Sequence, residues 1–274
     1  MTATPKTALT IAGSDSGGGA GIQADLRTFF ACGVHGMTAI TAVTVQNSLG
    51  VQGFTDIPSD VVAAQIKAVA GDMGVDAAKT GMLATAEIIR TVAKTLDEVH
   101  IGGAEGAPFV VDPVAASMHG DALLREEALE AIRTELFPRA TLVTPNLDEV
   151  RLLTGVEVKG PESQREAARA LLTFGPQWVL VKGGHLYDSP RCVDLLSDGA
   201  RFIELEGPRH PTEHTHGGGD TMASAITASL AKGLGVPDAV AEGKRFIERA
   251  VEESYPLGEG VGPVSPFWRL ADGD

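Results

Sequence analysis

Apolar residues along this chain keep two rhythms in alternation. Short runs rich in β-branched and small apolar residues recur at 7–13, 37–47, 77–82, 107–113, 140–146 and 178–184. The stretches between them, 20–31, 59–72, 84–99, 121–136, 147–154 and 163–174, space apolar residues as one face of a helix does. Strands separated by helices in this way predict right-handed βαβ units and a mostly parallel sheet. The segment 192–207 breaks the rhythm, since its two strand-like runs meet at Asp198-Gly199 and predict a hairpin. Two further helices are expected at about 218–233 and 237–254, followed by a Gly/Pro-rich tail. No repeat, low-complexity tract or linker interrupts the pattern, which predicts a single domain over 1–274.

Several predicted strands end in polar or turn residues: Gly13 and Asp15, Gln46, Asp112, Asn146 and Lys182. Parallel sheets bind ligands at the carboxyl ends of their strands. Any one of these residues alone reads as an ordinary turn; together they predict a site along one edge.

Composition narrows the function classes. A 274-residue chain that is 43% hydrophobic and 21% charged is expected to build a sizeable core. Its formal charge of −14 argues against a nucleic-acid partner, which needs a Lys/Arg surface. The two cysteines, Cys32 and Cys192, are far apart and read as small buried residues, which is cytoplasmic usage. Neither a signal peptide nor an apolar run near the length of a membrane span is visible.

The glycine-rich segments need separate treatment. "GSDSGGGAG" (13–21) misses the dinucleotide fingerprint, because Ile22 falls where the third glycine belongs. Neither a P-loop nor a G-x-S-x-G elbow occurs. His214 and His216, two apart in a loop, give only a weak metal signal. "HTHGGGDTMASAI" (214–226) is different, since it sets three glycines and Asp220 at the mouth of a predicted helix. Backbone N–H groups from Gly217 through Gly218 and Gly219 to Asp220 would form an anion hole, aimed by the helix dipole. Asp220 reads equally as a catalytic base for phosphoryl transfer or as a helix-end carboxylate. "TPNLDE" (144–149) puts Asn146 and Glu149 three apart, which suits Mg²⁺ held through water and equally suits a helix cap.

These motifs carry a resemblance. "ALTIAGSDSGGGAGIQADLRTF", "TAVTVQNSLGVQ", "AAKTGML", "VTPNLDE", "VLVKGGH", "THGGGDT" and the terminal "VGPVSPF" occur in the order seen in hydroxymethylpyrimidine/phosphomethylpyrimidine kinases. The resemblance spans about residues 7 to 266 and implies a ribokinase-like three-layer α/β/α sandwich with a mostly parallel central sheet. It further implies MgATP-dependent phosphorylation of 4-amino-5-hydroxymethyl-2-methylpyrimidine, and then of its monophosphate, in thiamine biosynthesis. By position, Gly13, Asp25, Gln46, Met82 and Val114 would line the pyrimidine pocket. Asn146, Glu149, Lys182 and the weaker candidate Asp112 would serve ATP and Mg²⁺, with Glu149 acting through metal-bound water. Gly217, Gly218 and Gly219 would be the anion hole, and Asp220 the base.

Two departures bear on this. Family members commonly show G-T-G-C where this chain has Gly217-Gly218-Gly219-Asp220, and an aspartate there resembles ribokinase and many vitamin B6 kinases. Met118 stands where the family often has a lysine. The expected protein is therefore a cytoplasmic kinase, homodimeric by analogy, with a vitamin B6 kinase as the rival reading. A catalytically silent nucleotide- or vitamin-binding regulator is the remoter rival, disfavoured by the presence of Asp220, Asn146 and Glu149.

Overall fold

In a computed structural model the described residues are 4–114, 126–184, 186 and 191–271. They form a nine-stranded sheet in the order β3-β2-β1-β4-β5-β6-β7-β8-β9. Strands β1 (Thr7–Ser14), β2 (His35–Asn47), β4 (Ala77–Thr80), β5 (Phe109–Val111), β6 (Leu142–Val143) and β7 (Trp178–Val181) run parallel. Edge strand β3 (Gly50–Asp56) and the pair β8 (Arg191–Ser197) and β9 (Phe202–Pro208) are antiparallel.

Alternate residues of the central strands serve opposite cores. Leu9, Ile11, Ala78, Val111, Val143 and Val181 pack beneath α2 (Ser59–Asp72), α3 (Ala86–Glu98), α4 (Glu126–Ala131), α5 (Leu147–Thr154) and α6 (Pro161–Leu172). Ala8, Ala77, Val110, Leu142 and Leu180 face α1 (Gly21–Ala31), α7 (Gly218–Ala231) and α8 (Val236–Glu252). The short α9 (Trp268–Ala271) follows, with the Trp268 ring tilted against Phe246 of α8, their centroids 5.2 Å apart. Covering both faces explains why these strands read as continuous apolar runs. The result is the expected three-layer α/β/α sandwich.

The predicted hairpin forms at Asp198-Gly199, where Gly199 takes φ +89° and Asp198 Oδ1 accepts the N–H groups of Ala200 and Arg201. Three differences concern the site. Strand β3 was not predicted, because its mostly exposed residues show no core-facing period; pairing with β2 makes it a strand. The central strands stop short of the predicted ends, so Met82, Asp112, Asn146 and Lys182 leave the ladder and turn toward the ligand edge. The predicted helix 121–136 appears as α4, a π-helical turn at Ile132–Leu136 and a tight turn at Phe137–Arg139. Residues 121–125 and Met118 lie outside the described residues.

Candidate active site

The carboxyl ends of the parallel strands open onto a cleft of about 1080 Å³, floored by the start of α7. Gly217 precedes that helix with φ +74°, and a Cβ there would fall 1.9 Å from the Gly19 carbonyl oxygen. Only glycine fits such a conformation and approach. The Gly218 N–H is donated to Thr215 O at 3.1 Å, so it is withdrawn from the expected anion hole. Of the four donors read from the sequence, this one is used by the turn into the helix, while the Gly217 N–H has no backbone acceptor among the described residues. The N–H groups of Gly219 and Asp220 find no backbone acceptor among the described residues, as first-turn helix donors do.

Asp220, third residue of α7, lines the cleft with a side chain 16% exposed. Its Oδ1 lies 3.5 Å from Lys79 Nζ. Beside the helix start stand Lys182 and Asp112: a Cβ on Gly219 would be 3.4 Å from Lys182 Nζ and 3.5 Å from Asp112 Oδ2. Lys182 donates to Asp112 Oδ1 at 3.0 Å, and Thr144 donates to the same oxygen at 2.8 Å. Burial disfavours the Lys182 charge, but Asp112 and Glu149 outweigh it and hold the ammonium above its ordinary range. Lys182 thus stays a cation next to the exposed N–H groups.

Asn146 and Glu149 form the capping box that their spacing allowed. Glu149 N–H donates to Asn146 Oδ1 at 2.9 Å, and Asn146 N–H donates to Glu149 Oε2 at 2.7 Å. Both residues also line the cleft, so the cap does not turn them away from it. Glu149 and Asp112 offer the cleft only oxygen donors, and no cluster of three or more His, Cys, Asp or Glu occurs among the described residues. That donor set fits magnesium, which binds through one or two carboxylates, phosphates and water.

Gly13, Gln46, Met82 and Val114 line the other half of the cleft. A Cβ on Gly13 would meet Met82 Sδ at 3.5 Å, so glycine keeps that wall open. Gln46 sits where the β2–β3 register shifts, between Val45 and Gln46. Such a bulge re-aims a side chain. Its Oε1 accepts weakly from Thr44 Oγ1 at 3.2 Å, and its Nε2 lies 3.5 Å from His216 Nε2. Asp15 organises the glycine loop by accepting N–H groups from Gly17, Gly19 and Ala20. Those donors are spent internally, which is why 15–20 is no phosphate cradle. Asp25 does not line the cleft. Its side chain is fully buried behind the floor, bound by Thr10, Lys79 and Ser224, and this corrects its placement in the pyrimidine pocket. The helix face carrying it turns inward, to meet a buried ammonium.

Sequence reasoning gave no role to three groups at the site: Lys79, the tie between His216 and Asp15, and Asp194 bound to Lys244 at 2.9 Å beside the cleft. Lys79 left one signal, a lysine inside the apolar run "AAKTGM" (77–82), where a buried charge requires a partner.

With this geometry in view, comparisons with known proteins agree. The model of the phosphomethylpyrimidine kinase family matches residues 15–265. A Mycobacterium leprae (strain TN) protein named hydroxymethylpyrimidine/phosphomethylpyrimidine kinase is 57% identical, covering 97% of this chain and 95% of its own. The solved ADP complex of Bacillus subtilis pyridoxal kinase superposes with a TM-score of 0.87 at 42% identity, over 97% of this chain and 100% of that one. A Clostridium difficile 630 phosphomethylpyrimidine kinase structure gives 0.77 at 38% identity, over 88% and 97%.

Proposed function

This chain belongs to the phosphomethylpyrimidine kinase family, and on that premise we propose how its cleft performs ATP-dependent phosphorylation of hydroxymethylpyrimidine, and then of the monophosphate, for thiamine biosynthesis. The observation that carries the proposal is Asp220 at the first turn of α7, beside unpaired helix N–H groups and the Lys182 cation. In the first reaction the alcohol oxygen attacks the γ-phosphorus, its proton passes to the Asp220 carboxylate, and the bond to the β-phosphate bridging oxygen breaks to leave ADP. The N–H groups of Gly219 and Asp220, with Lys182, hold the negative charge spread over the transferred group. Gly217 and Gly218 shape the turn that aims them. Gln46 reads the aminopyrimidine edge, since one amide donates to a ring nitrogen and accepts from the exocyclic amine. Gly13, Met82 and Val114 form the apolar walls around the ring. Asn146, Glu149 and Asp112 serve the nucleotide side. Mg²⁺ would be held on that side by Glu149 and Asp112 and would neutralise charge on the phosphates.

A second reading, phosphorylation of pyridoxal, is supported by the Bacillus subtilis structure of that name and by Asp220 in place of the family's common cysteine. A coupled ADP-release assay on hydroxymethylpyrimidine, its phosphate, pyridoxal and pyridoxine separates the two. The pyrimidines should give the higher kcat/KM; a preference for either vitamin B6 alcohol would reverse the assignment.

A homodimer in the cytoplasm completes the proposal. The edge hairpin β2–β3 exposes Val43, Val45, Leu49 and Phe54, apolar surface beside an open strand edge that a second copy would cover. Both cysteines are free thiols, and no described helix is long and apolar enough to cross a membrane. Sedimentation equilibrium tests the dimer; a monomer at micromolar concentration would refute it.

A further inference from the structure

Lys79 lies mid-sheet on β4 with no exposed side-chain surface. An ammonium there loses its hydration, and only close partners offset that cost. Asp25 is one: its Oδ1 lies 2.7 Å from Lys79 Nζ. Asp25 is itself fully enclosed, its Oδ1 also accepting from Ser224 Oγ and its Oδ2 from Thr10 Oγ1, both at 2.6 Å. Replacing a buried ion pair with apolar side chains of similar volume is often neutral or stabilising. Stability alone is therefore a poor reason for this pair, and its surroundings supply a better one.

Ser224 and Asp220 are one turn apart on α7 and share a face. Asp25 grips the first, and Lys79 reaches Oδ1 of the second at 3.5 Å. Gly81 flanks this contact: a Cβ there would stand 3.6 Å from both Asp220 Oδ1 and Lys79 Nζ, and 3.0 Å from Ala12 Cβ. Lys79, Asp25 and Ser224 together pin the rotation of α7, and with it the direction of its leading N–H groups.

We propose that Lys79, anchored by Asp25 beneath the cleft floor, is a positioning residue for Asp220, fixing where the carboxylate that accepts the proton sits. This rests on the reading of Asp220 as the base. Lys79 does not itself move a proton: burial opposes its charge, but Asp25, Asp220 and Asp112 outweigh that and raise it far above the assay range. Burial pushes the Asp25 carboxyl up to about 6, opposed by Lys79 and reinforced by the charge of Asp220.

The test is kcat for the alcohol against kcat for the phosphate in two variants. Lys79→Met with Asp25→Asn keeps the buried site neutral but removes the group that holds the Asp220 carboxylate, so kcat for the alcohol should fall at least about tenfold more than kcat for the phosphate, with KM values within about twofold. Asp25→Asn alone removes the anchor of Lys79 and should give a smaller loss of the same kind. Each variant decides separately, so misfolding of one, read by its melting curve, leaves the other. Folded variants with equal losses on both substrates, or with none, overturn the proposal and leave the pair a packing device for α7. Asp220→Asn, assayed on both substrates, decides the base reading independently: a loss confined to the alcohol there, with none here, sinks only the role of Lys79.

Discussion

His216 Nε2 lies 3.0 Å from Asp15 Oδ2, joining the loop after β1 to the segment that leads into α7. The contact needs Gly19, since a Cβ there would fall 2.3 Å from His216 Cδ2. Asp15 is thereby both the organiser of the glycine loop and the tie between the two glycine-rich segments of the cleft.

Removing that tie should cost stability in a pH-dependent way. Burial disfavours the Asp15 charge, but the hydrogen bonds from His216, Ala20 and Gly17 outweigh it and hold the carboxyl below its ordinary 3.8. A depressed folded-state value contributes stability that is present above 3.8 and lost as pH falls toward the folded value. Asp15→Ala should lower unfolding free energy by at least about 2 kcal/mol at neutral pH, since it strands several buried N–H groups. Denaturant titrations should show the gap to wild type narrowing below 3.8; a gap constant with pH would remove the charge from the explanation.

Gln46→Ala should raise the KM for the pyrimidine roughly ten- to a hundredfold and leave the KM for ATP nearly unchanged. Losing the amide leaves a polar ligand edge unpaired, a cost of about 1–3 kcal/mol. Steady-state kinetics with each substrate varied in turn checks this, and an unchanged pyrimidine KM would take Gln46 out of the pocket.

Glu149→Gln separates the two roles that the capping box leaves together. A glutamine at that position still accepts from Asn146 N–H, so helix α5 and the melting temperature should be preserved. The charge offered to Mg²⁺ is lost, so the variant should need several-fold more Mg²⁺ for half-maximal rate. A Mg²⁺ titration superimposable on wild type would reduce Glu149 to a cap.

Asp220→Asn sets the two reactions against each other. The alcohol must lose a proton as it attacks, a step that a base accelerates by about 10²–10⁴-fold. A phosphate monoester, with a second pKa of about 6, is already largely deprotonated at neutral pH. The variant should therefore lose at least about tenfold more kcat on the alcohol than on the phosphate. Equal losses would make Asp220 a shaper of the helix start, and no loss at all would make it a plain helix-end carboxylate.

What could be read before folding was whatever depends on near neighbours in the chain. The order of strands and helices follows from apolar period, the Asp198-Gly199 turn from its two residues, and the Asn146–Glu149 box from a three-residue spacing. The loop glycines before Asp220 announced a helix start with unpaired donors. Even there a local detail escaped, because the bond from Gly218 to Thr215 depends on how the incoming loop bends. Strand β3 escaped too, being held by its pairing with β2 and by little burial of its own.

Only the tertiary structure decided which carboxylates face the cleft. Asp15, Asp25 and Asp220 have the same chemistry in the sequence, yet Asp15 lines the cleft while spent on its own loop, Asp25 is sealed beneath the floor and Asp220 lines the cleft at the start of α7. Lys79 meets Asp25 and Asp220 across separations of 54 and 141 residues, and His216 meets Asp15 across 201. Hydrophobic period states which face of an element is buried, but it does not state what lies opposite. That is set by the packing of α1 and α7 against β1 and β4, where burying one ammonium makes its carboxylate partners obligatory.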